Sequence, residues 1–280
     1  MIIDVVVEVW RSCLKKAEKQ VQPKSQIGCS EQKLSPTPPL DKRVVLVWFV
    51  DLCAPDSLIE GLDKVLSSAE RERAAKFKFE KDRARYVASH AALRNILGWY
   101  IRIEPSALEF SAGPQGKPEL VSKSNRHALQ FNLSHSHEAA LVAVTVGREI
   151  GADIEYIKRD FHWEEVAERF FAPGEIARLR ALPEEKQQRA FFTCWTRKEA
   201  YIKAKGGGLS IPLKDFEVSL SPGEPASLVS CISDPKEVQR WQLAEIETSS
   251  DYAAAIAVEG TGWRLQCRRW GELTGAGGKT

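Results

Sequence analysis

One order of elements occurs twice along this chain: an apolar strand-length run, an amphipathic helix, then further short strands. That doubling constrains the fold more than any single residue does. The first round opens at Val44–Leu52, VVLVWFVDL, a continuous apolar run that suits a strand buried on both faces. Ser67-x-x-Glu70 has the form of a capping box ahead of a charged helical stretch. Tyr86, His90, Leu93 and Leu97, at i, i+4, i+7 and i+11, predict an amphipathic helix stopping near Gly98. Strand-like runs follow at 131–133, 140–146 and 150–154. The second round has its main helix between the acidic start Pro183-Glu184-Glu185 and the stop Gly206–Gly208, with strand-like runs at 216–220, 253–258 and 263–267. A fragment also echoes: LSHSHEAALVAV (133–144) against IETSSDYAAAIAV (246–258). The pattern predicts an α+β (α/β) chain of two similar halves, 43–149 and 150–280. Residues 1–42 are rich in Lys, Gln, Ser and Pro after an apolar start, and read as a flexible extension.

Composition excludes several classes. The 280 residues carry 40 Lys+Arg against 38 Asp+Glu, a net charge of +2, which argues against a broad nucleic-acid-binding surface. No window holds eighteen uncharged apolar residues, so no membrane span is expected. The opening MIIDVVVEVW carries Asp4 and Glu8 and lacks the basic start of a signal peptide. Six scattered cysteines without a CxxC pair read as reduced thiols of a cytoplasmic protein.

The chemistry concentrates in three segments. In Gly151-Ala-Asp153-Ile-Glu155, strand geometry puts Asp153 and Glu155 on one face, where they repel unless a cation or donor intervenes. A hard divalent ion with oxygen ligands, Mg²⁺ above all, suits such a pair; an isolated pair of this form is otherwise a solvated strand edge. In Trp195-Thr-Arg-Lys-Glu199-Ala-Tyr-Ile-Lys203, helical spacing stacks Trp195, Glu199 and Lys203 in one row. The leading Trp suggests that this face points inward, making Glu199 a third oxygen ligand and Lys203 a cation beside a phosphate. In Phe131-Asn-Leu-Ser134-His135-Ser136, preceded by Gly116-Lys117, hydroxyl, imidazole and ammonium donors could form a phosphate-binding edge. This is not a P-loop, because Pro118 stands where Ser or Thr is required. Arg73, Arg83 and Arg85 add positive charge on the first helical region. No Ser–His–Asp or Cys–His set suggests a covalent nucleophile.

In this order, GKP, FNLSHS, GADIE and WTRKEAYIK resemble the motifs of the 4′-phosphopantetheinyl transferases, in particular the larger pseudo-dimeric type exemplified by surfactin synthetase activators. The resemblance spans roughly residues 43–270 and leaves the N-terminal extension without a counterpart. It implies two α/β halves related by pseudo-twofold symmetry, with coenzyme A between them. It further implies transfer of the phosphopantetheine arm to a serine of an acyl or peptidyl carrier protein, releasing adenosine 3′,5′-bisphosphate. By motif match, Asp153, Glu155 and Glu199 would bind Mg²⁺, and Lys203 would serve the leaving phosphate. Glu199 would also take the serine proton. Lys117, Ser134 and His135 would hold coenzyme A phosphates, with Arg85 and Arg73 near the 3′-phosphate. The competing reading is a non-catalytic coenzyme A or carrier-binding module of the same fold. Two halves in one chain predict a monomer. The carrier is expected on Ile157–Trp163 and Phe170-Phe171, with Phe161 and Trp163 as exposed anchors beside basic residues.

Overall fold

The computed structural model describes residues 41–53, 61–113, 115–121, 125 and 128–271. The expected extension 1–42 therefore lies outside the described residues except at 41 and 42. Strand β1 (Val44–Asp51) is followed by helices α1 (Ser68–Ala74) and α2 (Glu80–Ile101). Strands β2 (Phe110–Ala112), β3 (Pro118–Leu120), β4 (Leu129–Ser136), β5 (Ala139–Val146) and β6 (Ile150–Tyr156) come next. Helices α3 (Glu164–Phe170), α4 (Pro173–Arg180) and α5 (Glu184–Ala204) precede β7 (Phe216–Val218) and β8 (Leu228–Cys231). The short helix α6 (Glu237–Arg240) leads into β9 (Trp241–Glu245), β10 (Tyr252–Glu259) and β11 (Arg264–Arg269).

The doubled order is present in the sheets. The first sheet runs β11-β1-β5-β4 and the second β6-β10-β9, so each half places its strands in the order first, third, second. Each half's long helix lies between its first and second strands in sequence. The echoing fragments become equivalent central strands, β5 and β10, both buried almost throughout.

Strand alternation sorts the apolar residues into layers. Leu46, Trp48, Val142 and Val144 face α2, whereas Val45, Val47, Leu141 and Ala143 meet Ile150, Ala152, Ile154, Ile256 and Val258 of the second sheet. The opposite face of β10 presents Ala253, Ala255 and Ala257 to the core around α5. The resulting order is helix, sheet, sheet, helix. It explains the unbroken apolar runs: strands covered on both faces lose the polar alternation of a half-exposed strand.

Two details depart from the sequence reading. The final strand β11 does not stay with its own half but pairs parallel to β1, from Val44 opposite Arg264 to Phe49 opposite Arg269. The division at 149/150 thus does not describe sheet membership at the C-terminal end. Helix α2 also runs past Gly98 to a left-handed cap at Arg102, φ 56°. Gly98 is inside the helix because the returning chain crosses it; a Cβ there would lie 2.6 Å from the Ile103 carbonyl oxygen. The capping box is formed as expected, with the Glu70 amide donating to Ser67 Oγ and the Ser67 amide to Glu70. The described cysteines, Cys53, Cys194, Cys231 and Cys267, are free thiols. No helix among the described residues is long and apolar enough to cross a membrane.

Candidate active site at the seam between the halves

Strand β6 has β10 on one edge. Its other edge meets β4 without a backbone ladder. In place of carbonyls, every second side chain of β4 accepts a β6 amide: Asn132 Oδ1 from Ala152 (2.9 Å), Ser134 Oγ from Ile154 (3.4 Å) and Ser136 Oγ from Tyr156 (3.1 Å). The constant offset of twenty residues gives these two strands a parallel register. In the first half the corresponding strand, β1, has that edge taken by β11. The two halves therefore do not form two equivalent sites.

On β6 the alternation that buries Ile150, Ala152 and Ile154 between the sheets turns Gly151, Asp153 and Glu155 toward α5. Gly151 sets how close the helix comes. A Cβ on it would stand 3.0 Å from Ala204 Cα, with the Ala200 carbonyl oxygen and the Ala204 nitrogen nearer still. Only a residue without a side chain lets α5 lie this close.

That approach brings the predicted groups together. Trp195 is buried among Phe170, Phe171 and Phe191, fixing the inward face of α5. Two turns on, Lys203 Nζ is 2.6 Å from Asp153 Oδ1 and 3.3 Å from Ser134 Oγ. Ser134 also donates to Asp153 Oδ1 at 2.9 Å, and Ser136 donates to Glu155 Oε2 at 2.8 Å. Asp153 is buried, and its second oxygen, Oδ2, has no hydrogen-bond partner.

The electrostatics are those of a site short of positive charge. Desolvation, then the neighbouring Asp153, pushes the Glu155 carboxyl up to about 8. Desolvation pushes Glu199 up to about 7, with Lys203 opposing and Asp153 reinforcing. Asp153 is also raised by desolvation, against the pull of Lys203 and Ser134. Lys203 loses to desolvation but gains more from Asp153 and Glu199, so its ammonium is held above the usual range. One ammonium thus faces three carboxyl groups. The donors are all oxygen and one is orphaned and buried, which fits a hard divalent cation. No three His, Cys, Asp or Glu side chains among the described residues are already gathered as a metal-holding group. Lys203 occupies Asp153 instead.

The cationic residues converge more loosely. His135 is held below the usual imidazole range by desolvation and then by the charges of Lys203, Arg85 and Arg73. Arg73 lies over the Tyr86 ring and Arg85 reaches Glu138 at 3.5 Å. Lys117 sits apart, its Nζ bonded to Glu149 Oε2 (2.8 Å) and to the Ala204 carbonyl at the end of α5 (3.2 Å). The Ser134 hydroxyl, expected on a phosphate, is buried and turned to Asp153. Arg83, on the same helical region, pairs with Glu80 and Asp63.

The expected carrier anchors are not surface residues. Phe161 and Trp163 are 8% and 7% exposed and pack on Phe191, in the core beneath α5. Phe171 is fully buried and Phe170 lies against Trp195. The loop position that suggested exposure is overridden by an aromatic cluster that needs both rings.

Two supports escaped the sequence reading. Gly151 is one. The other is Lys198, fully buried and paired with the equally buried Glu175 at 2.8 Å. Lys198 also donates to the Leu213 and Phe216 carbonyls, and Glu175 accepts from the Ala172 and Val218 amides. The pair ties the segment 169–175, RFFAPGE, to WTRKEAYIK and fixes the roll of α5. Their adjacency to recognised motif residues was the available signal, but a Lys–Glu pair 23 positions apart has no periodicity to reveal it.

Known proteins are similar to this chain in both halves. Residues 149–257 match the profile of the 4′-phosphopantetheinyl transferase superfamily, and residues 57–147 that of the 4′-phosphopantetheinyl transferase N-terminal region. The 4′-phosphopantetheinyl transferase HetI of Nostoc sp. is 41% identical over 220 residues, covering 79% of this chain and 90% of its own. The 4′-phosphopantetheinyl transferase Sfp of Bacillus subtilis is 32% identical over 155 residues, 55% of this chain and 66% of its own. A holo-(acyl-carrier-protein) synthase from Bacillus anthracis, solved in complex with CoA (3′,5′-ADP), overlaps 40% of this chain and 96% of its own. Its identity is 23% and its TM-score 0.34, too low to carry weight. With both halves matched and a relative of this identity along most of its length, the chain belongs to the 4′-phosphopantetheinyl transferase superfamily.

Proposed function

We propose that this transferase works at the β4–β6 seam, moving the 4′-phosphopantetheine arm of coenzyme A onto a serine of an acyl or peptidyl carrier protein. The observation that carries this reading is the convergence of Asp153, Glu155, Glu199 and Lys203 under a helix seated on Gly151. Asp153, Glu155 and Glu199 would hold Mg²⁺, which supplies charge neutralisation to a pyrophosphate. Phosphoryl transfer needs little else from a protein than placement and compensating charge.

The chain's own groups have separate tasks in this reading. Lys203 presents its ammonium to the leaving phosphate, where negative charge grows during the reaction. Glu199 would also take the proton of the attacking serine hydroxyl, as a carboxylate placed beside Lys203 and Asp153. Arg73 and Arg85 form a positive margin for the 3′-phosphate end of coenzyme A, with His135 beside them as a neutral hydrogen-bonding group, and Lys117 stands at the far end of α5. Ser134 serves Asp153 and not a phosphate. The carrier approaches the metal side of the seam by surfaces other than the buried Phe161 and Trp163. A monomer accords with two halves in one chain, and scattered cysteines accord with a reducing cytoplasm.

The test is mass spectrometry of candidate apo-carriers incubated with the protein, coenzyme A and Mg²⁺. A carrier that gains one phosphopantetheine supports the reading. Coenzyme A or carrier binding without any mass gain would favour a non-catalytic module.

A further inference from the structure

We propose that Ser136 is a positioning residue for Glu155. This rests on the reading of Asp153, Glu155 and Glu199 as metal ligands. Ser136 has one hydroxyl hydrogen, and it is directed at Glu155 Oε2 at 2.8 Å. Ser136 Oγ itself accepts the Tyr156 amide at 3.1 Å, which pins the hydroxyl to the seam and leaves its hydrogen one useful direction. Among the described residues no other hydrogen-bond donor is found on Glu155.

The neighbouring serine shows why Ser136 matters more. Ser134 makes the same two-sided bond, to Asp153 and from the Ile154 amide. Asp153 is also gripped by Lys203, so it keeps an orienting partner if Ser134 is lost. Among the described residues Glu155 has no such second partner. Asn132 provides an internal comparison, because it accepts the Ala152 amide and so supports the seam without, among the described residues, a bond to a carboxylate. Its loss would weaken the junction of the halves and leave Glu155 held. Outer partners that orient a ligating carboxylate typically contribute about 10–100-fold to metal affinity.

The experiment measures Mn²⁺ binding to the purified full chain by the electron paramagnetic resonance of free Mn²⁺, with thermal unfolding in parallel. Ser136→Ala is expected to weaken Mn²⁺ binding about tenfold or more, and Ser136→Thr, which restores a hydroxyl, to recover most of it. Asn132→Ala is expected to lower the unfolding temperature while Mn²⁺ affinity stays at the wild-type level. If Ser136→Ala is folded and binds Mn²⁺ as wild type does, the inference is overturned. It is also overturned if Asn132→Ala loses as much affinity as Ser136→Ala, since the seam alone would then be responsible. Should Ser136→Ala fail to fold, Ser136→Cys, a weaker donor of similar size, is expected to bind Mn²⁺ less well than Ser136→Thr, and equal affinities would refute it. A wild-type protein that takes up no Mn²⁺ overturns the metal reading, and this inference with it; loss of binding in Glu155→Gln while folded Ser136→Ala binds as wild type does overturns only the inference.

Discussion

Gly151→Ala adds a single methyl group where α5 crosses β6. The new Cβ would stand 3.0 Å from Ala204 Cα and nearer still to two backbone atoms of the helix. Carbon atoms in contact settle at about 3.5–4.0 Å, so helix and strand must separate by roughly 1 Å. Neither can give way locally, because the obstructing atoms belong to the backbone of a helix held by Lys198 and Trp195. Overpacking of this kind costs about 1–3 kcal/mol in stability, which a domain of this size survives. The same displacement moves Glu199 and Lys203 away from Asp153 and Glu155. Misplacement by about 1 Å at a reacting centre can cost on the order of 10²-fold in rate. The assay is kcat for carrier loading, alongside circular dichroism and the urea midpoint. A folded Gly151→Ala with kcat within threefold of wild type would refute the claim that close helix–strand approach assembles the site.

Three further outcomes are expected. Lys203→Ala should lower kcat by about 10²–10³-fold with little change in coenzyme A affinity; a rise in KM for coenzyme A at unchanged kcat would make Lys203 a ground-state binding group. Lys198→Met should cost about 3–5 kcal/mol in urea denaturation, because it strands Glu175 in the core. Lys198→Met with Glu175→Gln should recover part of that loss, and a single variant losing under about 1 kcal/mol contradicts the burial argument. Desolvation holds the His90 imidazole down to about 4, so the folded protein keeps it neutral where the unfolded chain takes up a proton. Stability from His90 is therefore intact above about pH 6.5 and lost as the pH falls toward 4. Between pH 7 and pH 5 that loss is about 2 kcal/mol, and His90→Gln should flatten the profile; an unchanged slope in the variant assigns the effect elsewhere.

How far the sequence reaches depends on whether a feature is periodic. Asp153 and Glu155 at i and i+2, and Trp195, Glu199 and Lys203 at i, i+4 and i+8, are fixed by strand and helix geometry, so their faces are readable in one dimension. The same holds for the echoing fragments, which become β5 and β10. What was not readable depends on pairing between distant segments. Nothing in Arg264–Arg269 says that it joins β1, since an edge strand of mixed polarity suits either sheet. Asn132, Ser134 and Ser136 alternate visibly, but only the fold reveals that they replace carbonyls along β6. Phe161 and Trp163 misled for a related reason: flanking Lys158, Arg159 and His162 made a basic loop, while burial was decided by Phe191 thirty positions away.

The central claim is that Asp153, Glu155, Glu199 and Lys203 form a metal-dependent transfer centre at the seam of the two halves. Its most direct test is the rate of phosphopantetheine incorporation into an apo-carrier, followed by intact-protein mass spectrometry while Mg²⁺ is titrated into EDTA-treated enzyme. The wild type is expected to be inactive without Mg²⁺ and to recover as it is added, while folded Asp153→Ala stays inactive at every concentration. Undiminished incorporation in excess EDTA, or by Asp153→Ala, would contradict the account.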